Sequence, residues 1–177
     1  MQQPLPKKTS KILSIAIISI ACLSLGVGCQ ENSYKRVGWV ENVKIANRDS
    51  KVSAKLDSGA TTSSINAEIL SQPDEETESG GTIKFKFIDT DGNETLYERP
   101  IERWVKIKRK EGGTIRRPVV KMIFCIAGKE IEEEVNLSQR DEFNYSILVG
   151  RNMLEKGKLT IDSSQTFTSE PNCNQEG

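Results

Sequence analysis

Asp57-Ser58-Gly59 is the first place in this sequence where residue types and spacing could do chemistry. A strand-like lead, Val52-Ser53-Ala54-Lys55-Leu56, ends in the Asp, and Ala60, Thr61, Thr62, Ser63 and Ser64 follow. A carboxylate delivered at the end of a strand can serve as a general acid or base once it reaches a substrate proton. Gly59 would let the backbone approach that carboxylate closely. The competing reading is structural, because Asp-Ser-Gly is a common turn tripeptide in which the Asx side chain bonds its own backbone. Far downstream, Ile147-Leu148-Val149 is a buried-type strand that runs into Gly150-Arg151-Asn152 and then Met153-Leu154. Arg151 in that run is a candidate receptor for phosphate or carboxylate.

Composition removes several other chemistries. The chain has 177 residues and no His, which excludes Ser/His and Cys/His pairs, HExxH zinc sites and imidazole proton shuttles. Lys plus Arg and Asp plus Glu number 25 each, so no basic excess points to nucleic acid. Hydrophobic residues make up 36%, enough for one core. There is no P-loop pattern, and no cofactor or metal is expected.

The N-terminus reads as a targeting segment. Lys7, Lys8 and Lys11 precede the apolar run Ile12 to Val27, which ends at Gly28-Cys29. A positive start, an apolar stretch and a small residue before the cut describe an export signal over residues 1–28. Leu25-Gly26-Val27-Gly28-Cys29 resembles a bacterial lipobox, which makes Cys29 the expected lipidation site and residues 29–36 a tether. That pattern prefers Leu where Gly26 stands, so an ordinary signal peptide or an uncleaved anchor stays open. The expected location is the cell envelope, lipid-anchored and facing the periplasm or the exterior. Cys125 and Cys173 then either pair or remain a buried thiol and a tail thiol.

The elements that must position Asp57 are strands. Val37 to Ile45, Thr82 to Ile88, Trp104 to Lys108, Thr114 to Val120, Lys121 to Ile126 and Ile131 to Leu137 alternate or read as buried β segments between Gly-containing turns. Asp91-Gly92-Asn93 and Gly128-Lys129 are hairpin turns. Asn66 to Leu70 reads as a short helical turn, Ser71 to Gly81 as a surface loop, Asn152 to Glu155 as a short helix, and Leu159 to Asp162 as a last strand. Glu111-Gly112-Gly113 sits at a hairpin tip, a candidate flap or an ordinary turn. Trp39 and Trp104 read as core or barrel-end residues. The expectation is an all-β domain over residues 37–168 with one short C-terminal helix, and a polar, unstructured tail over 169–177.

Four segments together resemble the bacterial retropepsin-like aspartic peptidases, a family also filed as ATP-dependent zinc proteases. They are Gly38-Trp39-Val40-Glu41, Lys55 to Ser64, Arg117-Pro118-Val119-Val120 and Leu148 to Leu154. The resemblance implies an acid-protease barrel that hydrolyses peptide bonds. It implies Asp57 as a catalytic carboxylate, with Ser58, Gly59, Ala60 and Thr61 forming its supporting loop. It also makes Gly150, Arg151 and Asn152 a structural signature under that loop. The zinc and ATP of the family's other name find no recognisable ligands here. Such chemistry needs two carboxylates sharing one proton over a water. This chain has one Asp-Ser-Gly, so the second carboxylate is expected from Asp57 of another copy in a symmetric homodimer, with Asp162 of the same chain as the runner-up. A catalytically silent lipoprotein of the same fold, binding a partner in the envelope, is the alternative.

Overall fold

The computed structural model describes residues 33–72, 81–108 and 112–173. The export segment, Cys29, Glu111 and most of the acidic 71–81 stretch lie outside the described residues. The strands are β1 (Lys35–Ile45), β2 (Val52–Leu56), β3 (Ser63–Ser71), β4 (Thr82–Ile88), β5 (Glu94–Pro100), β6 (Arg103–Lys108), β7 (Thr114–Ile126), β8 (Lys129–Ser138), β9 (Ile147–Val149) and β10 (Leu159–Thr166). The single described helix, α1 (Arg151–Lys156), falls between β9 and β10. The fold is all-β, as the strand-and-turn pattern implied.

Hydrogen bonding runs β1-β2-β9-β3-β8-β7 and returns to β1, which closes a barrel. β10 and β6 extend the sheet at its two ends, while β4 and β5 form a hairpin built onto β3. Alternation in the sequence becomes alternation in burial. Val52, Ala54 and Leu56 point inward from β2, and Ile83, Phe85 and Phe87 from β4. These pack with Phe124, Ile126, Ile131 and Ile147 in one core. The hairpin turns are those the sequence indicated. Asp89 Oδ1 accepts the backbone N–H of Asp91 and Asn93 ahead of β5, and Gly92 has φ +82°.

Two expectations are corrected. Asn66 to Leu70 is not a helical turn but part of β3. Its Ala, Glu and Leu favour helix locally, yet Asn66 pairs with Ser138, and Ala67 to Ile69 pair with β4. The tail is not unstructured over residues 168–173. Cys125 and Cys173 form a disulfide. Glu41, fully buried on β1, accepts five hydrogen bonds from Gly38, Thr168 and Ser169. A polar sequence looked free to solvate, but a buried carboxylate needs such donors and holds them.

Candidate active site

Parallel pairing explains why the two informative runs meet. β2 and β9 run side by side with Leu56 opposite Val149, so Asp57 and Gly150 leave the sheet together at the same end. The Asp57 N–H still continues that ladder, donating to Val149 O at 2.8 Å. Since β9 lies between β2 and β3, residues 57–62 must arch over it to reach Ser63.

The arch is clamped from below by the β9–α1 junction. The Arg151 N–H donates to Ala60 O at 2.8 Å, and the Asn152 N–H to Thr61 O at 3.2 Å. Arg151 Nη1 donates to Ser58 O at 3.0 Å, and Nη2 to Thr61 Oγ1 at 2.9 Å. Asn152 Oδ1 accepts both the N–H and the hydroxyl of Ser63, and its amide donates to Glu134 O. Gly150 completes the clamp by having no side chain. A Cβ there would stand 2.8 Å from Thr62 C and 3.0 Å from Ala60 O, inside contact distance of backbone. Arg151 thus spends its donors on the loop.

Asp57 itself is held lightly. Its Oδ1 accepts the Gly59 N–H at 2.9 Å, and Lys55 Nζ stands 3.5 Å from Oδ2. A Cβ at Gly59 would come 3.1 Å from Oδ1, so Gly keeps that approach open. The side chain retains 30% of its accessible surface. A carboxylate has about four lone-pair sites, and most of these remain free for water, a substrate or a second carboxylate. The Asx-turn reading is therefore true of Oδ1, while Oδ2 has only Lys55 beside it among the described residues.

Asp162 is placed elsewhere. It lies on β10 with β1 between it and β2, two strand spacings of about 4.8 Å each from the Asp57 strand. Its carboxylate is held below the usual range by the Ser164 hydroxyl and N–H, which it accepts at 2.6 and 3.0 Å. Among the described residues no group of three His, Cys, Asp or Glu is arranged to hold a metal.

The Gly112-Gly113 tip, with φ of +92° and +82°, ends the β6–β7 hairpin. Along that hairpin opens a groove of about 980 Å³, walled by Trp104, Ile107, Arg116, Arg117, Leu137 and Phe143 among others. None of residues 57–62 is among those that line it. Trp104 belongs to this wall and packs against the core, while Trp39 is half-open and meets Tyr145 edge-on at 6.3 Å. Buried Trp104 Nε1 and Ser138 Oγ in the same wall lack hydrogen-bond partners.

Sequence reading did not single out Ser63, Asn66 or Arg140. Ser63 Oγ accepts the Gly150 N–H at 2.9 Å, and Asn66 Oδ1 accepts the Arg140 N–H at 2.7 Å. Ser63 and Asn66 lie in the buried run Ser63 to Ala67 of β3, and Arg140 in the connection after β8, so no alternation marked any of them.

Comparison with known proteins bears on the fold and the family. A Legionella pneumophila protein of unknown function, Lpg0085 (DUF785), superposes with a TM-score of 0.63 at 27% identity, covering 78% of this chain and 99% of that one. A curated protein from Shewanella pealeana named probable alpha-L-glutamate ligase is 29% identical over 119 residues, 66% of this chain. The matched stretch spans 25% of that longer protein. The family model for the retropepsin-like aspartic endopeptidase RimB matches residues 36–172, and the chain belongs to this RimB-like family.

Proposed function

We propose that the protein is an exported aspartic peptidase in which Asp57 supplies one half of a two-carboxylate site and Asp57 of a second copy supplies the other. The supporting observation is the contrast within the Asp57 loop, where the backbone is clamped by Gly150, Arg151 and Asn152 while the carboxylate stays open. One carboxylate of the pair takes a proton from water as the water attacks the scissile carbonyl. The other, protonated, polarises that carbonyl and later protonates the leaving amine. Two carboxylates about 3 Å apart cannot both ionise cheaply, so they titrate as a unit. Arg151 and Asn152 are positioning residues in this scheme, and the Gly112-Gly113 hairpin tip is the segment that would close over a bound peptide.

The Lys-rich leader and Gly28-Cys29 support export and lipid attachment at Cys29. Mass spectrometry of the membrane fraction should find a modified N-terminal Cys29; a mature chain retaining residues 1–28 would refute it. The name of the Shewanella relative makes glutamyl peptides the first substrates to try. Cleavage should survive chelators and yield to a peptide mimic with a hydroxyl at the scissile position. Activity that EDTA removes and zinc restores would defeat the aspartic assignment.

A further inference from the structure

Arg140, in the segment joining β8 to β9, is only 8% exposed. A guanidinium taken this far out of water ordinarily has an anion beside it. Here its Nε donates to Tyr145 O at 3.2 Å and its Nη1 to Ser64 Oγ at 3.0 Å, while the group stacks 4.5 Å from the centre of the Phe143 ring. All three partners are neutral. The ion pairs among the described residues all join other side chains. Nη2 donates to no described acceptor, which leaves it the uncommitted edge of the group.

That edge has a particular setting. Burial makes the proton on Arg140 easier to lose, Arg117 adds to this, and Asp57 opposes it, so both charges are near enough to act. Arg117 and Phe143 belong to the groove wall. Arg140 is therefore a fixed, undercompensated cation within electrostatic reach of both Asp57 and the groove. The groove as a whole is not a basic field, because Glu68 and Glu142 share its wall and Glu68 is already paired with Lys86. Any selection for negative charge is local to Arg140.

We infer that Arg140 receives a carboxylate of the bound peptide, either an acidic side chain or the free C-terminus, and so sets which peptides are presented to Asp57. The inference rests on the peptidase reading above. Planar guanidinium and carboxylate match as paired donors and acceptors, and the Ser64 and Tyr145 bonds hold the group ready at little entropic cost. A Lys there would keep the charge but lose the fork.

The test uses peptides with the central amide reduced, so that binding is read without turnover. A glutamyl peptide, its glutaminyl twin and the C-terminal acid and amide of each are titrated calorimetrically into the wild-type protein and Arg140→Gln. The carboxylate-bearing twin should bind roughly ten- to hundred-fold more tightly, and Arg140→Gln should erase that preference. Whichever pair differs, side-chain or C-terminal, identifies the source of the carboxylate. Should Arg140→Gln not fold, the Arg140 Nε–H resonance of the wild type should still shift with the charged twin and not with the neutral one. Equal binding of charged and neutral twins, or a preference that persists in folded Arg140→Gln, overturns the proposal. Cleavage of the unmodified peptides is followed in parallel. Cleavage without charge preference removes the carboxylate anchor alone, and preference without cleavage removes the peptidase reading alone.

Discussion

Glu41 and Asp57 stand on or at the end of neighbouring strands, β1 and β2, and their surroundings are opposite. Glu41 is fully buried and both oxygens are saturated by N–H and O–H donors from Gly38, Thr168 and Ser169. Burial alone would push its carboxyl up, but these hydrogen bonds outweigh burial and hold it below the usual range. Asp57 has a single backbone donor on Oδ1 and only a loosely placed Lys55 beside Oδ2. The difference separates a carboxylate that stabilises from one that can react. A filled set of lone pairs cannot take up a proton without losing bonds, whereas a half-filled set on a rigid loop can.

The sharpest way to break the comparison is to neutralise each carboxylate in turn. Asp57→Asn should lower peptide turnover by about 10²–10⁴-fold or more, with circular dichroism and melting nearly unchanged. Asn is isosteric but can neither take the water's proton nor carry the alternating charge. A folded Asp57→Asn protein with wild-type turnover would reduce Asp57 to a turn residue.

The segment that saturates Glu41 is also tied at Cys173. Cys173→Ser opens a link between residues 48 apart in sequence. The loop-entropy argument gives a loss of about 4 kcal/mol, measurable by urea denaturation. An unchanged midpoint would show that the tail contributes nothing to the folded state.

Glu41→Gln should then cost about 2–3 kcal/mol, because an amide turns an N–H₂ toward donors that required an acceptor. Activity per folded molecule should hold. The pH dependence follows the same carboxylate. Its folded value is depressed, so its stabilisation is complete above the ordinary glutamate range and is lost as pH falls through the lower folded value. Wild type should lose stability on that acid limb more steeply than Glu41→Gln, and parallel curves would contradict it.

Gly150→Ala tests the clamp with the smallest change. One methyl against Thr62 and Ala60 backbone should cost about 1–3 kcal/mol and displace the Asp57 loop. Turnover should fall further than stability, and a full-activity variant would show that the loop does not depend on this contact.

What the sequence revealed and what it hid divide along the same comparison. The Asp57 loop and the Gly150-Arg151-Asn152 run are each contiguous, so local pattern exposed them, and one parallel pairing of Leu56 with Val149 joins them. The strands were legible because alternation survives wherever one face is buried. The Glu41 latch was hidden, because Glu41 and Thr168 are 127 residues apart and nothing local marks either as a partner. Asn66 to Leu70 misled for a related reason, since helix-favouring residues were overruled by pairing with distant strands. Arg140 carried no signal at all, because its burial follows from the packing of Phe143, Tyr145 and Ser64 around it.

The central claim is that two copies of Asp57 form one site, and mixing subunits tests it most directly. Wild-type and Asp57→Asn chains, tagged differently, are refolded together at increasing mutant excess, and peptide cleavage per wild-type chain is measured. A shared site predicts that activity per wild-type chain falls in proportion to the wild-type fraction, because only wild-type pairs carry two carboxylates. Activity per wild-type chain that stays constant at every mixing ratio, with mixed dimers confirmed by the tags, would place the whole site within one chain and contradict the account.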